Sequence, residues 1–383
     1  MPTDNQTYKN KPIRVLHIGK YYPPFMGGTE KVNYDIVEGL NHEDGYVIDE
    51  LCFAHTRDFH EELKVDYRLF RVPIFGIKFS TPIPRGFFSL YRRIRNNYDI
   101  IHLHMPNPLV SLGVLLYRTK AKLILHWHMD IVKQKKLKVL YRPLQTAILK
   151  RCDRIIATSP NYARCSKDLA PYLDKVNIVP IGIDVDYLPY EDNDVEQIKS
   201  AFPGKKIVFS VGRLTYYKGF SVLIEAARYL PDDIVVLIGG KGEEYEKLQS
   251  MIKTSGLENK VKLLGRVPER LMGAYYKGAD LFCLPSRYRT EAFGVVLLEA
   301  MAFGLPIVAC NIEGSGVSWV NSHQETGLNV AVGDPGALAQ AIDKILGDPN
   351  KYNEYSNNAL SRYENNFKKS NMLDRVKEIY DNI

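Results

Sequence analysis

The sequence predicts an α/β fold made of two doubly wound, Rossmann-like domains with parallel sheets. Short runs rich in β-branched residues alternate with helix-length stretches, a pattern typical of parallel sheets covered by helices on both faces. The alternation stops at the polar, acidic residues 184–200, interpreted as a linker, and then begins again. A length of 383 residues also exceeds one ordinary core. Such domains bind ligands at the carboxyl ends of their strands, so we expect a ligand cleft between them.

The alternation of strands and helices occurs twice along the chain, and each of these two cycles begins with an apolar strand. The run Ile13–Ile18 predicts the first strand, and a Pro/Gly-rich loop then leads to a helical pattern over residues 29–40. Further β-branched runs predict first-cycle strands at residues 100–104, 122–126, 154–158 and 177–180. The second cycle predicts strands at residues 206–211, 234–238, 261–264, 281–284 and 306–310, and helices at residues 220–230, 243–255, 269–276 and 294–303. The order therefore predicts two separate sheets.

The composition excludes several classes of protein. Hydrophobic residues make up 45% of the chain and charged residues 25%, as in soluble globular proteins. The five cysteines are scattered without a C-x-x-C pair, which argues against a disulfide framework and a zinc site and fits a reducing cytoplasm. Residues 1–11 are polar and no apolar run reaches about 18 residues. We therefore expect a cytoplasmic protein.

Basic residues are concentrated in the first half of the chain. The net charge is +7, and residues 1–190 hold 28 Lys/Arg against 19 Asp/Glu. Seven Lys/Arg lie within residues 131–151, and residues 70–95 combine six more with Phe75, Phe79, Phe87 and Phe88. Basic and aromatic side chains together suit an anionic leaflet, whereas a solvated face is the alternative. No nucleic-acid motif accompanies the charge, so we expect a peripheral membrane partner and no nucleic acid.

Two loops have the composition of phosphate sites. Gly27 and Gly28 precede a predicted helix, with Thr29 as a plausible N-cap, and exposed amides at a helix start can bind an anion. In the second cycle, Arg213 and Lys218 follow a strand and share one loop, which suits two cations that contact one diphosphate. The alternatives are a tight turn for the glycines and solvated charges for the cations.

Two glutamates are associated with one apolar helix, which is predicted over residues 293–303 and ends at Gly304. Glu291 lies just ahead of this helix, beside N–H groups that lack helical partners. Glu299 lies within it, and a buried carboxylate needs hydrogen-bond donors, for which sugar hydroxyls are suitable. The alternatives are a dipole partner for Glu291 and a satisfied core acid for Glu299.

Together these motifs resemble the retaining glycosyltransferases of family four, which have the GT-B architecture. The resemblance covers nearly the whole chain in order. It is carried by the Gly-Gly-Thr-Glu loop, by Val211-Gly-Arg-Leu with Lys218-Gly219, by Gly265-Arg-Val-Pro268, by Pro285-Ser286 with Glu291-x7-Glu299, and by Gly304-x-Pro306-Ile-Val-Ala. It implies that the last helix, from about residue 371 to the end, returns to the first domain. The predicted domains are therefore residues 1–183 with about 368–383, on the acceptor side, and residues 184–367, on the donor side.

The resemblance also implies a role for each motif residue. Arg213 and Lys218 would neutralise the donor diphosphate, with a backbone contact from Gly28. Glu291 would bind the hydroxyls of the donor sugar, and Glu299 those of the ribose. The amides of Phe293, Gly294 and Val295 would contact the sugar and β-phosphate, and Arg266 and Val267 would lie near the base. His128 would hold a hydroxyl of the reacting sugar and steady its developing charge, whereas we expect His126 to point to the opposite face.

Within the family, Trp127-His128 with residues 130–134, and residues 314–319, resemble bacterial transferases that extend O-antigen. This predicts a metal-independent, retaining hexosyltransferase that acts on a lipid-linked glycan, with GDP-mannose or a GDP-deoxyhexose as donor. Asp184-x-Asp186 matches the metal element of another transferase fold, but we interpret it as a surface turn. The alternatives are a UDP-sugar transferase, an epimerase or phosphorylase of the same architecture, and a non-catalytic binding protein.

Overall fold

A computed structural model describes residues 11–25, 27–43, 45–54, 56, 58–78, 81–130 and 135–383, the side chains of 135–138 and 140 excepted. The chain forms two compact units. The first consists of Met1–Ala157, Asp168–Val179 and Leu373–Ile383, and the second of Thr158–Lys167 and Pro180–Met372. This division differs from the predicted boundaries mainly at Thr158–Lys167, which groups with the second unit.

The first unit contains a sheet of nine strands among the described residues, with the order β3-β4-β2-β1-β6-β7-β8-β9 and β5 paired to β4. Most neighbours are parallel, whereas β3 and β5 run antiparallel to β4. The strands are β1 Ile13–Ile18, β2 Tyr46–Ala54, β3 His60–Leu63, β4 Arg68–Lys78, β5 Thr81–Pro84, β6 Ile100–Met105, β7 Lys122–Trp127, β8 Arg154–Ala157 and β9 Val176–Ile178.

The second unit contains a parallel sheet with the order β12-β11-β10-β13-β14-β15. This is the strand order of a doubly wound fold, in which the chain direction across the sheet reverses between two adjacent strands, here β10 and β13. The fold class predicted from the sequence is confirmed. The strands are β10 Lys206–Val211, β11 Ile234–Gly239, β12 Val261–Gly265, β13 Leu281–Leu284, β14 Ile307–Cys310 and β15 Gly327–Val330.

Helices connect the strands in both units. They are α1 Gly28–Asn41, α2 Phe87–Ile94, α3 Pro108–Leu116, α4 Lys135–Arg151, α5 Pro160–Cys165, α6 Asp192–Ser200, α7 Phe220–Ala226, α8 Tyr245–Thr254, α9 Glu269–Gly278, α10 Val295–Ala302, α11 Val317–Val320, α12 Pro335–Leu346, α13 Pro349–Asn366 and α14 Lys369–Asp381. Short 3-10 helices lie at Arg95–Asn97, Ala170–Lys175 and Tyr216–Lys218. The last helix, α14, contributes Tyr380 to the first unit.

The second sheet is buried on both faces. Along β10, Val208 packs in one apolar cluster, whereas its neighbours Ile207 and Phe209 pack in the other. Alternate side chains of a strand point to opposite faces, so a strand buried on both sides needs the continuous apolar run that the sequence contains.

Several local expectations were wrong. Residues 184–200 are not a simple linker, because α6 occupies Asp192–Ser200. Val195 is the buried residue of that helix, which explains the weak apolar pattern. Thr29 is not an N-cap, since α1 begins at Gly28 with Gly27 in that position. The unpredicted strands are β2, β3, β4, β5 and β15.

The predicted membrane surface is only partly exposed. Phe75 is 74% exposed, whereas Phe87 is buried and packs its ring against Phe53 and Tyr91. Phe79 and most side chains of residues 131–140 lie outside the described residues. Within the described part of the chain, the helices are too short or too polar to cross a bilayer.

Candidate functional site

A lysine–glutamate pair lies at the reversal point of the second sheet. The loops after β10 and β13 meet there, and Lys218 Nζ lies 2.5 Å from Glu291 Oε2. Ser286 donates a hydrogen bond of 2.9 Å from Oγ to the same carboxylate oxygen. Lys218 and Glu291 are each only 12% exposed. The structure therefore brings together two predicted site residues, and adds Ser286, to which the sequence analysis assigned no role.

Glycine at position 219 allows this approach of the two loops. Gly219 has a φ of +72°, and a Cβ atom there would lie 2.1 Å from the carbonyl oxygen of Pro285. Any larger residue would push the loop after β10 away from the loop after β13. The backbone of Gly219 thus helps to place Lys218 beside Glu291.

The start of α10 lies directly after this pair. Gly294 caps the helix in the left-handed region, with φ 84° and ψ 62°. Phe293 is buried beside the rings of Trp319 and Phe367, at centroid distances of 6.4 and 6.1 Å. In the first helical turn the N–H of Leu297 donates to the carbonyl oxygen of Gly294 at 2.8 Å, whereas the N–H groups of Val295 and Val296 precede the hydrogen-bonding pattern of the helix. They provide the positive end of the α10 dipole next to Glu291.

Glu299 already has hydrogen-bond donors within the protein. Tyr187 donates to its Oε1 at 2.7 Å, and Tyr276 donates to its Oε2 at 2.6 Å. Burial raises the pKa of Glu299 above its ordinary value, and the two tyrosine hydrogen bonds oppose that rise. The buried acid therefore has the donors that we expected, but tyrosine hydroxyls supply them in this structure.

The remaining predicted donor residues of the second unit differ in exposure. Arg213 is exposed, and Arg266 is 74% exposed, with its guanidinium 3.9 Å from Glu269. Val267 is buried, and a Cβ at Gly239 would lie 2.8 Å from its Cγ2 atom. Val267 thus forms a fixed wall, whereas the two arginines extend into solvent.

In the first unit, Gly28 is the first residue of α1 and is exposed. No atom lies within 4 Å of a Cβ built there, so the described surroundings do not themselves require glycine. The neighbouring Thr29 hydroxyl donates to Glu30 Oε2 at 3.0 Å rather than capping the helix. The approach of a ligand to the Gly28 backbone remains a prediction.

His128 belongs to a group of five buried histidines. Strand register aligns His17 of β1 with His102 of β6, and His104 of β6 with His126 of β7. His128 follows β7 directly, and its Nε2 lies 2.8 Å from Nδ1 of His104. The members of this histidine cluster are His17, His102, His104, His126 and His128.

The expected orientation of His126 is wrong. Its ring stacks on that of His128, with a centroid distance of 4.3 Å and an interplanar angle of 12°. Side chains two positions apart in extended backbone point to the same face of a sheet. His126 is therefore part of the same cluster as His128 rather than on the opposite side.

Burial keeps the cluster neutral. It lowers the pKa of His128 to about 3 and that of His17 to about 4. The pKa values of His102, His104 and His126 lie well below the ordinary value, first because of burial and then because of neighbouring histidines. Neutral imidazoles each combine one donor and one acceptor nitrogen.

The cluster also has ligand types that suit a metal ion. One ring nitrogen from each of His17, His102 and His104 lies within 4.8 Å of the other two, and the same holds for His104, His126 and His128. Neutral imidazole binds zinc and other transition metals. This group was not predicted, because the cysteine spacing alone was used to judge a zinc site. Its signal was two His-x-His pairs at the ends of predicted strands.

Models of two known families match the chain. The model described as "Glycosyltransferase Family 4" matches residues 26–187, and "Glycosyl transferases group 1" matches residues 192–362. The second match lies within the second unit and contains the pair formed by Lys218 and Glu291.

Two bacterial relatives are similar over most of their lengths. O-antigen chain mannosyltransferase C of Escherichia coli is 32% identical over 96% of this chain and 98% of its own. D-rhamnosyltransferase WbpZ of Pseudomonas aeruginosa is 31% identical over 93% of this chain and 92% of its own.

Solved structures share the fold. HepE of Anabaena in complex with UDP aligns with a TM-score of 0.77 at 19% identity, over 97% of this chain and 100% of that chain. A sucrose-phosphate synthase of Thermosynechococcus elongatus aligns with a TM-score of 0.75 at 22% identity, over 97% of this chain and 98% of its own. Both confirm the GT-B architecture.

Proposed function

This chain belongs to the group 1 and family 4 glycosyltransferases and is a transferase enzyme, and we propose that it is a retaining hexosyltransferase of bacterial surface polysaccharide synthesis. It moves a hexose from a nucleotide diphosphate sugar to a lipid-linked glycan. The relatives named as an O-antigen mannosyltransferase and a D-rhamnosyltransferase support this proposal.

The contact between Lys218 and Glu291 carries the proposal for the donor site. A bound diphosphate would compete with Glu291 for the ammonium of Lys218, and Arg213 is exposed at the same loop to meet the second phosphate. The carboxylate of Glu291 is then available to accept hydrogen bonds from hydroxyls of the sugar. The leaving group is thus stabilised by fixed positive charge, which is a large contribution in transfer reactions.

The other predicted residues complete the donor site. The amides of Phe293, Gly294 and Val295, at the positive end of α10, contact the sugar and the β-phosphate. Glu299 exchanges one tyrosine partner for the ribose hydroxyls. Arg266 and Val267 lie near the base, where the buried Val267 offers an apolar surface. The backbone contact of Gly28 with the diphosphate stays a prediction from the family resemblance.

His128 holds a hydroxyl of the reacting sugar. Its low pKa keeps the imidazole neutral at physiological pH, so it acts through hydrogen bonding and its ring dipole rather than as a cation. The acceptor hydroxyl attacks the anomeric carbon from the side of the leaving group. The departing phosphate oxygen takes the proton of that hydroxyl, and the configuration is retained.

We propose that transfer needs no metal ion, because lysine, arginine and the helix start carry the charge of the leaving group. Treatment with EDTA, followed by desalting, should leave the initial rate unchanged. If chelation abolishes activity and Zn²⁺ or Mg²⁺ restores it, transfer depends on a metal ion. The histidine cluster and Asp184-x-Asp186 would then be the first candidates for the metal site. Asp184 forms an ion pair with Lys369 at 2.6 Å.

The proposed donor is GDP-mannose or a GDP-deoxyhexose. The second candidate is a UDP-sugar, which is favoured by a relative named as a UDP-galactose-dependent galactosyltransferase of Escherichia coli, 26% identical over 96% of each chain. A thermal-shift screen of both groups of nucleotide sugars distinguishes them. A donor present at 100 times its Kd stabilises the protein by about 2.7 kcal/mol. Stabilisation by UDP-sugars alone would refute the GDP proposal.

The acceptor is lipid-linked, so we propose that the enzyme works from the cytoplasm at the inner face of the plasma membrane. The end of β4 and the start of β5 expose Phe75, Ile77 and Ile83 by 74%, 51% and 38%. The guanidinium of Arg85 lies 5.9 Å from the centroid of the Phe75 ring. Apolar and basic groups at one hairpin suit an anionic lipid surface.

Three other functions make different predictions. An epimerase would change the free donor without an acceptor, and a phosphorylase would require inorganic phosphate. A binding protein would be stabilised by a nucleotide sugar without turnover. Incubation of the stabilising donor with and without acceptor, and with and without phosphate, separates all three from a transferase.

A further inference from the structure

A hydrogen-bond chain runs through the histidine cluster and starts at Asn33 of α1. Asn33 Oδ1 lies 2.9 Å from Nδ1 of His17. The same nitrogen of His17 lies 3.3 Å from Nε2 of His104, and Nδ1 of His104 lies 2.8 Å from Nε2 of His128. Asn33 is 1% exposed and the histidines are buried. Water therefore has little access to these nitrogens, and each neutral ring must place its single proton to suit its neighbours.

The carbonyl oxygen of Asn33 gives this chain a direction. An amide carbonyl accepts hydrogen bonds only, so Nδ1 of His17 must carry the proton. The other side of the amide supports this orientation, because a Cβ built at Gly19 would lie 2.5 Å from Asn33 Nδ2 and 2.8 Å from Glu50 Oε1. The amide nitrogen, rather than a second acceptor oxygen, is thus on the side of the Glu50 carboxyl. The oxygen then faces His17.

The direction passes from ring to ring. His17 donates from Nδ1 to Asn33 and towards Nε2 of His104, so the latter nitrogen is an acceptor. The proton of His104 is then on Nδ1, from which it donates to Nε2 of His128. His128 must in turn carry its proton on Nδ1.

A second branch of the chain agrees with this direction. Nε2 of His17 is an acceptor, so the hydroxyl of Tyr380, at 2.6 Å, donates to it. The Tyr380 oxygen then accepts from Nδ1 of His102 at 2.6 Å, and Nε2 of His102 accepts from Nδ1 of His126 at 3.2 Å. The branch ends at Nε2 of His126, a buried atom without a hydrogen-bond partner among the residues that the structure describes. Because this nitrogen carries no proton, the branch leaves no buried N–H group unpaired. Among buried backbone groups, an unpaired N–H is rarer than an unpaired acceptor.

We propose that Asn33 is a positioning residue for His128, whose proton it fixes on Nδ1 through His17 and His104. A free histidine side chain favours the proton on Nε2, so the chain selects the less common tautomer. His128 then offers an N–H donor from Nδ1 to a ligand, while Nε2 is occupied by His104. The meaning of this donor for sugar transfer rests on the proposed function, whereas the tautomer itself does not.

Long-range ¹H–¹⁵N NMR of the ¹⁵N-histidine-labelled full chain reads the protonated nitrogen of each ring. The expected result is the Nδ1–H form for all five cluster histidines at pH 7. Assignment uses single histidine variants. The Nε2–H form at His128, or in the whole cluster, would overturn the proposal. Stoichiometric loss of these signals on addition of Zn²⁺ would also overturn it, since the nitrogens would then be metal ligands.

Two variants test the direction of the chain. Asn33→Leu removes the carbonyl acceptor, and an Nε2–H population should appear at His128. Tyr380→Phe interrupts the second branch only, so His102 and His126 should change while His128 keeps Nδ1–H. Tyr46→Phe is the matched control, because the Tyr46 hydroxyl contacts Asp381 of the same last helix and lies outside the chain. An unchanged His128 in folded Asn33→Leu would contradict the proposal.

Kinetics provide a separate readout. Loss of the outer partner of a metal-bound histidine lowers metal affinity or activity by roughly tenfold or more, and we expect a similar factor for the partner of His128. Asn33→Leu should therefore lower kcat by about that factor, with the KM for donor nearly unchanged. If the tautomer of His128 changes but kcat does not, Asn33 still positions the His128 proton. That proton would then have no role in transfer. No turnover in the unmodified protein would refute the proposed function alone.

Discussion

The ammonium of Lys218 lies 2.5 Å from the carboxylate of Glu291, although 73 residues separate them in the chain. The fold creates this contact, because β10 and β13 are adjacent where the chain direction across the sheet reverses. With 12% exposure, each side chain has lost most of its contact with water. Each charge therefore depends on the other, or on a ligand that replaces it.

Removal of one charge should destabilise the protein more than removal of both. Lys218→Met leaves the Glu291 carboxylate poorly solvated and should lower the free energy of unfolding by about 2 kcal/mol. The double variant Lys218→Met with Glu291→Gln should recover at least half of that loss, yet remain inactive. Urea unfolding at pH 7 measures both effects.

The matched control is a pair in the same unit whose glutamate is also 12% exposed but whose lysine extends into solvent. Lys247 Nζ lies 2.7 Å from Glu244 Oε1, and Lys247 is 69% exposed. Lys247→Met should change the stability by less than about 0.5 kcal/mol. Equal losses in Lys247→Met and Lys218→Met would show that burial of the Lys218 ammonium has no energetic consequence.

Glu299 should make the protein less stable as the pH rises. Burial raises its folded-state pKa above the unfolded value of 4.5, so the folded protein holds the proton more tightly. The stabilisation is complete below pH 4.5 and is lost as the pH rises through the folded pKa. Glu299→Gln removes this dependence, so its stability relative to the unmodified protein should increase from pH 4.5 to pH 7.

Thermal melts across that range provide the measurement. Glu354 is exposed on α13, and Glu354→Gln serves as the control, whose difference from the unmodified protein should stay constant. Glu299→Gln should also weaken binding of the donor, because an amide accepts ribose hydroxyls less well than a carboxylate. A parallel pH profile for both variants would rule out the raised pKa.

The histidine cluster should have the opposite effect on stability. Burial lowers the pKa of His17 from 6.5 to about 4. Between these two pH values, His17 is protonated in the unfolded chain but not in the folded protein. The contribution of neutral His17 to the free energy of unfolding is complete above the unfolded pKa and is lost as the pH falls towards 4. At pH 5 this one residue should cost about 2 kcal/mol relative to pH 7.

His17→Asn should therefore show a smaller loss of stability between pH 7 and pH 5, whatever its absolute stability. Urea unfolding at the two pH values measures the difference. His42, with a side chain 71% exposed, gives the control His42→Asn, for which the loss should equal that of the unmodified protein. The same loss in His17→Asn would mean that His17 titrates normally in the folded protein.

Exposed apolar residues at the end of β4 should contribute to membrane binding. Replacement of Phe75 and Ile77 by serine should reduce flotation with vesicles that contain anionic phospholipid at low salt. Val65 is 98% exposed but precedes the start of β4, at the far end of that strand, so Val65→Ser should float normally. Equal flotation of all three proteins would exclude this hairpin as the lipid contact, and no flotation of the unmodified protein would refute membrane binding.

Buried parallel strands were the most predictable part of the fold. Lys206–Val211 and Leu281–Leu284 were predicted with their observed bounds, because a strand covered on both faces must be apolar throughout. Strand β2 was missed, since its sequence contains Asp49 and Glu50, both buried. Asp49 is satisfied by Arg68 at 2.6 Å, a distant partner that local sequence does not reveal.

Site residues could be predicted from the sequence where they belong to a short motif. They could not be predicted where strand register alone brings them together. Lys218 and Glu291 stand in recognisable motifs, but their contact with each other follows from the strand order. The histidine cluster depends on the pairing of β1 with β6 and of β6 with β7. His17 and Tyr380 are 363 residues apart, and no local pattern joins them.

The configuration of the transferred sugar is the most direct test of the proposed transfer reaction. The purified enzyme is incubated with the donor that stabilises it most and with a lipid-linked saccharide acceptor, and NMR follows the anomeric signals. A retaining transferase should release nucleoside diphosphate only with acceptor and form a product with the anomeric configuration of the donor. Lys218→Ala and Glu291→Ala should lose turnover. A product of inverted configuration, or a donor epimerised without acceptor, would contradict the proposed reaction.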